Sequence, residues 1–345
     1  MVRSGSVSAG PTLAVVARAA GVSVPTASKV VNGREDVAPE TRKRVTEALD
    51  RLGYVRRPRL DAVRPPGLVD LVLHSLDTSR SGAVLHGVEH AAHDAGLDVV
   101  VSAGLTRARG GRPERGWLDK LIARGSAGVL FHLAELTVSQ YAWLEQHRIP
   151  FVMIDPMREP PPGVVSVGAA NWHGGLLATE HLLALGHRRI AVVGGHRRKV
   201  RDGARIAGYR SALAAAGLRH RPEYVRHGGF DETVARRRTQ QLLDLTEPPT
   251  AVFVCSDRMA LGVYQALAER GLRVPQDISV VGFDDLPEAR WATPALTTVR
   301  QPLSEMAATA LRLLVRMMAG DRPEGTRTEL STRLVERAST APPAR

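Results

Sequence analysis

The 345-residue chain lacks several features that would assign it to common protein classes. Its one cysteine, Cys255, excludes an internal disulfide and makes a cysteine-based zinc site unexpected. No apolar run reaches the length of a membrane span, and the N-terminus has no apolar signal-peptide core. The sequence therefore predicts a cytoplasmic protein with no membrane partner.

Motifs of nucleotide-binding and hydrolytic enzymes are also missing. The chain has no G-x-G-x-x-G after a strand, no P-loop, no G-x-S-x-G and no H-E-x-x-H. We therefore expect no enzymatic activity, no cofactor and no metal. The alternative function for this chain is that of an enzyme or of a cytoplasmic binding protein for a sugar or nucleoside.

Positive charge is concentrated at the N-terminal end. The chain has a formal charge of +12, and residues 1–66 hold 12 lysines and arginines against 6 aspartates and glutamates. A short segment thus carries half of the excess charge, which favours a polyanionic partner. Double-stranded DNA is a better candidate than a membrane surface.

Residues 12–33 predict two short helices joined at a tight corner. Thr12 is a candidate N-cap for the first helix, which has one apolar stripe and ends at Gly21. Ser23 is the candidate cap of the second helix, and Pro25 falls in its first turn, where proline breaks no hydrogen bond. This pattern is typical of a helix-turn-helix, whose second helix enters the major groove of DNA.

The outward face of the second helix carries the candidates for reading base edges, which are Pro25, Thr26 and Lys29. A third helix is predicted from Pro39, with an apolar face and a stop at Gly53.

These helices resemble the headpiece of the lactose and galactose repressor (LacI/GalR) family of transcription regulators. The matching segments are Val-Ala-Arg-Ala-Ala-Gly-Val-Ser (16–23), Thr-Ala-Ser-Lys-Val-Val-Asn-Gly (26–33), Pro-Glu-Thr-Arg-Lys-Arg-Val (39–45) and Leu-Gly-Tyr (52–54). The resemblance implies a DNA-binding headpiece over residues 1–56 and a hinge over 57–67. In addition to the outward-facing Pro25, Thr26 and Lys29, the DNA-binding residues that the resemblance implies are Thr12, Ser23, Val24, Ser28, Asn32, Tyr54, Arg57, Leu60 and Val63.

Residues 57–66 stand where the family has a short helix that folds on DNA and inserts a leucine into the minor groove. Val63 is at the leucine's position, and Leu60 replaces a usual alanine. Consecutive prolines at 65 and 66 leave such a helix less than two turns. We therefore predict a hinge that orders only on DNA, with Leu60 or Val63 as the wedge.

From Leu68 onward, short apolar runs alternate with helical segments in two successive sets. We predict an α/β fold: a small all-α headpiece followed by two lobes with parallel sheets and a cleft at the carboxyl ends of the strands. The resemblance continues through 180–187, 205–209, 256–262, 278–285 and 296–302, and implies a periplasmic-binding-protein-like (type I) domain for effector binding and dimerisation. That domain is expected over 68–335, with lobe 1 at about 68–168 and 300–328, lobe 2 at about 170–298 and 329–335, and a frayed tail at 336–345.

Polar side chains at the predicted strand ends are candidates for binding a ligand in that cleft. Asp155, Ser256 and Asp284 each follow a buried apolar run, Arg205 opens a helix, and Phe230 follows two glycines. Charged groups that bind adjacent hydroxyls, together with an aromatic face, are suited to a sugar. The resemblance implies effector contacts at these five positions. Helix capping or surface pairing is the alternative for each isolated aspartate.

The loop after the first strand departs from the family pattern. Many members have an Asn-Pro-aromatic step there, whereas this chain has Asp77-Thr-Ser-Arg-Ser-Gly. Asp77 is kept as an effector candidate, and Arg80 is expected to be solvated rather than to bind a carboxylate or phosphate. Trp291 is a candidate that lines the cleft or packs in the interior, and packing is favoured.

The expected function is repression of transcription by sequence-specific DNA binding, controlled by a small effector, with a sugar as the expected ligand. Because one headpiece reads only a half-site, the expected partners are a second copy of the chain and a near-palindromic operator. An exported sugar-binding protein would share the two lobes, but it would have a signal peptide and no headpiece.

Overall fold

The computed structural model describes residues 12–31, 34, 36–52, 54, 67–103, 115–197 and 199–344. The chain divides into two compact units, Met1–Arg64 and Pro65–Arg345. Within the described ranges, no helix combines the length and the apolarity that crossing a membrane requires.

The N-terminal unit contains three helices that share one core. They are α1 (Leu13–Ala19), α2 (Val24–Val31) and α3 (Pro39–Leu52). Gly21 has a φ of +64°, a left-handed conformation that glycine adopts at little cost, and it turns the chain from α1 towards α2. Val16, Ala27, Val45 and Ala48 are fully buried where the apolar stripes of the helices meet. The predicted three-helix headpiece is confirmed.

The second unit alternates strands with helices, as predicted. Its strands are β1 (Gly67–Leu73), β2 (Leu97–Ser102), β3 (Gly128–His132), β4 (Phe151–Ile154), β5 (Ser166–Ala169), β6 (Ile190–Gly194), β7 (Val225–His227), β8 (Ala251–Val254), β9 (Ser279–Asp284), β10 (Thr297–Arg300), β11 (Arg327–Leu330) and β12 (Arg333–Val335). Its helices are α4 (Ser79–Asp94), α5 (Arg115–Arg124), α6 (Val138–Gln146), α7 (Asn171–Ala184), α8 (Val200–Ala215), α9 (Glu232–Leu243), α10 (Asp257–Glu269), α11 (Pro287–Trp291) and α12 (Leu303–Met318).

The strands form two six-stranded sheets, one in each lobe. The order is β11-β5-β4-β3-β1-β2 in lobe 1 and β12-β10-β9-β8-β6-β7 in lobe 2. Neighbouring strands are parallel, except that β12 runs antiparallel to β10. Strands β3, β4, β6, β8 and β9 are buried along their whole lengths, as expected of parallel sheets covered on both faces. The predicted α/β class is confirmed.

Helices α7 and α8 approach each other closely at two glycines. A Cβ added to Gly175 would lie 2.0 Å from the carbonyl oxygen of Arg205, and one added to Gly208 would lie 2.0 Å from that of Trp172. No side chain fits at either position unless the helices move apart. This contact fixes the orientation of α8, which carries two arginines of the site described below.

The chain passes between the lobes three times, between β5 and α7, between β10 and α12, and between β11 and β12. Residues 329 and 330, expected in lobe 2, instead pair with β5 in lobe 1. Because all the strands except β12 run parallel, the carboxyl ends of the central strands of both sheets border the interlobe cleft.

The expectation of a frayed tail after Val335 is wrong for residues 336–344. The backbone of Ser339 accepts a hydrogen bond from the N–H of Val280, and its hydroxyl accepts one from the N–H of Thr297 at 2.8 Å. Ser339 is fully buried. A proline- and alanine-rich composition predicted disorder, but these hydrogen bonds attach the tail to lobe 2.

Candidate functional site

Helix α2 presents an exposed face formed by Val24, Pro25 and Lys29. The hydroxyl of Ser23 accepts a hydrogen bond from the N–H of Thr26 at 3.3 Å, so Ser23 caps the helix as predicted. The opposite face of α2 is buried in the headpiece core. The capping bond and the buried face together leave the candidate base-reading side chains accessible.

Lys29 forms an ion pair within the headpiece. Its Nζ lies 2.6 Å from Oδ2 of Asp36, and both side chains are more than half exposed. The hydrogen bond from Lys29 lowers the pKa of Asp36. Because Asp36 is negatively charged, it competes with DNA for the lysine.

The other predicted DNA-binding residues have varied surroundings. Thr12 has the extended backbone of a cap residue, but its side chain makes no capping hydrogen bond. Ser28 is half-buried, and Tyr54 is partly buried against the headpiece core. Asn32, Arg57, Leu60 and Val63 lie outside the described residues.

Two aspartates from opposite lobes lie at the cleft. Asp155 follows β4 in lobe 1, and Asp284 ends β9 in lobe 2; both are nearly fully buried. Their φ values are +50° and +114°, in the left-handed region that non-glycine residues rarely adopt. Such backbone strain, about 1–3 kcal/mol per residue, is concentrated at functional sites.

Arg80 joins these two aspartates. It is the second residue of α4 in lobe 1, and its Nη1 donates to Oδ1 of Asp284 at 2.8 Å while its Nη2 donates to Oδ2 of Asp155. Arg80 is only 8% exposed. The expectation that Arg80 is solvated is therefore wrong: its guanidinium connects the lobes through a buried pair of carboxylates.

Helix α8 supplies two further arginines, one helical turn apart. Arg201 Nη1 donates to Oδ2 of Asp155 at 3.2 Å, and the Arg201 guanidinium lies 4.4 Å from the ring centre of Phe230. Arg205 is fully buried and lies 3.6 Å from Asp284 through its Nη2. Its other nitrogens donate to Asn171 Oδ1 at 2.8 Å and to the carbonyl of residue 255 at 2.6 Å.

These charges change the ionisation of the site. Burial alone would raise the pKa of Asp155, but Arg80, Arg201 and Arg205 outweigh it and hold that pKa well below its usual range. Asp202 shows the opposite effect, because burial raises its pKa more than Arg201 and Arg205 lower it. The arginines therefore stabilise the anionic form of Asp155, whereas burial opposes ionisation of Asp202.

Arg80, Asp155, Arg201, Arg205 and Asp284 form one group of charges, the cleft cluster. Several buried polar atoms in or beside it have no hydrogen-bond partner among the described residues. They are Nε of Arg80 and Arg201, Nη2 of Arg205, both carboxyl oxygens of Asp202, Oε1 of Gln301 and both ring nitrogens of His132. Buried polar groups in native proteins are nearly always hydrogen-bonded. Their concentration in one cleft indicates a site for a polar ligand.

Two families match the chain. Residues 12–57 match the bacterial regulatory proteins of the lacI family, and residues 179–340 match the periplasmic binding protein-like domain. The HTH-type transcriptional repressor PurR of Erwinia tasmaniensis is 34% identical over 333 residues, which are 96% of this chain and 97% of the relative. The HTH-type transcriptional regulator CelR of Thermobifida fusca is 36% identical over 340 residues, 95% and 98% of the two chains. The chain belongs to the lacI family of bacterial regulatory proteins.

Solved structures agree with this assignment. A CelR–cellobiose complex has a TM-score of 0.72 and 33% identity, covering 95% of this chain and 99% of the other. A lac repressor dimer bound to operator and the anti-inducer ONPF has a TM-score of 0.73 and 28% identity, covering 96% and 100%. This lacI-family chain is therefore a DNA-binding regulator of transcription, as its sequence predicts.

Three of the residues predicted to bind the effector, Ser256, Asp77 and Trp291, have surroundings that differ from those of the cleft cluster. The hydroxyl of Ser256 caps α10 by accepting a hydrogen bond from the N–H of Met259 at 3.4 Å. Asp77 is exposed and accepts a hydrogen bond from Ser75 rather than joining the cleft cluster. Trp291 is 75% exposed on α11, so the favoured packing interpretation is wrong.

A cavity of about 210 Å³ adjoins the cleft cluster of the lacI-family regulator. Asp155, Asn171, Trp172 and Arg201 are among the residues that line it. Sequence reasoning missed Arg201 and Asn171. The spacing of Arg201 and Arg205, four residues apart on one helix, was the signal that could have found the first. The cavity is smaller than the roughly 300–1,000 Å³ of most ligand sites.

Proposed function

We propose that this regulator is a homodimeric repressor that binds a near-palindromic operator through α2 and α3 of each headpiece, and whose operator affinity a small effector controls from the interlobe cleft. We expect the effector to be a sugar or a closely related polyol. The protein would act in the cytoplasm, where the DNA lies, and would have no enzymatic turnover.

The observation that carries this proposal is the convergence of Asp155, Arg205 and Asp284 from two lobes on one buried cluster. A ligand that binds both lobes favours one relative orientation of them, and operator affinity changes only if that orientation differs between the DNA-bound and free forms. Phe230 adds the aromatic face, with its ring against Arg201. The cellobiose bound to CelR supports a sugar as the ligand class.

We propose that Val24, Pro25, Thr26 and Lys29 contact bases or phosphates in the major groove. The lac repressor dimer on its operator supports a dimer as the DNA-binding species. At the hinge, Leu60 or Val63 would insert into the minor groove and bend the operator. If neither Leu60→Ala nor Val63→Ala changes operator bending or affinity, the protein uses no hinge wedge.

The test combines two measurements on the full chain. A thermal-shift screen of sugars and nucleosides identifies ligands that stabilise the folded protein, and gel retardation of operator DNA is then measured with and without each hit. We expect at least one sugar to raise the melting temperature and to change operator affinity. A hit that stabilises the protein without changing DNA binding would argue for a binding protein instead, and product formation from a hit would indicate an enzyme.

A further inference from the structure

The cleft cluster contains more positive than negative charge. Three guanidinium groups, those of Arg80, Arg201 and Arg205, share two carboxylates, Asp155 and Asp284. Asp155 is contacted by Arg80 and Arg201, and Asp284 by Arg80 and Arg205. One positive charge is therefore left without a paired anion. An uncompensated charge in a buried site is costly.

Asp202 forms no ion pair with any of the three guanidinium groups. It is 1% exposed, and neither carboxyl oxygen has a hydrogen-bond partner among the described residues. Burial raises the pKa of Asp202, because burial penalises the charged form. His132 adds no compensating anion either, because histidine is neutral or cationic. Within the described part of the chain, the three guanidinium groups therefore have two ion-paired carboxylates and no third.

The same arginines have unused donors. Nε of Arg80, Nε of Arg201 and Nη2 of Arg205 are buried, and no described residue accepts a hydrogen bond from them. A neutral hydroxyl could accept from one of them but would leave the charge imbalance unchanged. A carboxylate accepts several N–H groups at once and matches the planar fork of a guanidinium, and its single charge equals the excess.

We propose that the effector is a small polyol that carries one carboxylate, such as a uronic or aldonic acid, and that Arg80 and Arg201 bind this carboxylate. This inference rests on the proposed function, because it assigns the ligand class of the same cleft. Arg80 is the residue that determines specificity. Binding of the ligand's carboxylate competes with Asp155 for Arg80, so the ligand replaces an ion pair within lobe 1 by its own.

The experiment compares matched pairs of polyols in which a carboxylate replaces one CH2OH group. Calorimetric titrations of the full-length wild type use D-glucose against D-glucuronate, D-galactose against D-galacturonate, and sorbitol against gluconate, with sodium chloride added to equalise ionic strength. We expect at least one acid to bind about tenfold or more tightly than its neutral partner, the effect of a charge-assisted contact. Arg80→Gln should abolish that preference, and Arg80→Lys should reduce it because it keeps the charge but loses the fork.

Arg316→Gln is the matched control, because Arg316 is an exposed arginine that pairs with Asp321 outside the cleft. It should keep the full preference for the acid. Neutral sugars that bind as tightly as the acids would overturn this inference and leave the proposed function intact. The inference is also overturned if the preference survives Arg80→Gln, or if glucose 6-phosphate binds more tightly than glucuronate. Absence of binding by all six compounds counts against both proposals.

Discussion

Arg80→Gln removes the guanidinium that connects Asp155 of lobe 1 to Asp284 of lobe 2. Both carboxylates are at least 95% buried, so each loses one of its two arginine partners in a poorly solvated site. Removing one partner of a buried ion pair costs about 3–5 kcal/mol. Because Arg201 and Arg205 still pair with the two carboxylates, we expect the lower end of that range, about 3 kcal/mol in the free energy of unfolding of the second unit.

This loss should depend on pH. Burial opposes ionisation of Asp155, but the arginines hold its folded pKa below the unfolded value of 3.8. The stabilisation is therefore fully present above about pH 4 and is lost as the pH falls through the folded pKa. The difference between wild type and Arg80→Gln should be largest near pH 7 and should narrow below about pH 4.

The assay is urea unfolding followed by tryptophan fluorescence. All four tryptophans lie in the second unit, at positions 117, 143, 172 and 291, so the signal reports on that unit rather than on the headpiece. Arg316→Gln serves as the control and should leave the unfolding midpoint unchanged, because its ion pair is exposed. A loss below about 1 kcal/mol for Arg80→Gln, or a difference that does not narrow in acid, would refute the bridging role of Arg80.

Three further outcomes follow from local packing and charge. On α8, Gly208→Ala should lower the free energy of unfolding by about 1–3 kcal/mol, because the added Cβ meets the backbone of α7. Gly203→Ala on the same helix places its Cβ in open space and should raise that free energy by about 0.5–1 kcal/mol. Equal effects of the two variants in urea unfolding would contradict the close approach of α7 and α8. Ser339→Ala should lower the free energy of unfolding by about 1–3 kcal/mol, because it leaves the buried N–H of Thr297 and the carbonyl of Val280 without the hydroxyl they bond to. An unchanged urea midpoint would mean that the hydroxyl of Ser339 does not attach the tail to lobe 2. Lys29→Ala should weaken operator binding by about 1–3 kcal/mol and should remove the preference for one base of the operator, as measured by gel retardation. An equal loss of affinity for random DNA would mean that Lys29 contacts a phosphate rather than a base.

The sequence predicts the positions of the cleft carboxylates but not their arginine partner. Asp155 and Asp284 each follow an apolar run that predicts a buried strand. The carboxyl ends of parallel strands lie at the same edge of a sheet, so the sequence places both aspartates at the cleft. Arg80 lies in the first turn of a helix, where an arginine is ordinarily solvated, and its burial depends on two carboxylates that are 75 and 204 residues away in sequence. No local pattern carries that information.

The elements missed from the sequence have a similar cause. Helix α12 has a clear apolar face, but it follows the last predicted strand of lobe 2 and packs against α4 of lobe 1. The tail was expected to fray because its composition is poor in apolar side chains, and its attachment depends on the backbone and hydroxyl of Ser339. Local sequence identifies helices and strands well here, whereas contacts between distant segments decide where they pack.

The three crossings between the lobes have a consequence for synthesis of the protein. Neither lobe is continuous in sequence: the sheet of lobe 1 is complete only when β11 has been made, and the sheet of lobe 2 only with β12. The headpiece leaves the ribosome first and can fold while both sheets lack an edge strand. A ribosome that stops before Leu303 therefore releases a chain with a headpiece but without α12, which fills the core of lobe 1 with Met306, Leu311 and Leu314. Such a fragment leaves the apolar core of lobe 1 uncovered, and exposed apolar surface of this kind is what chaperones and proteases act on.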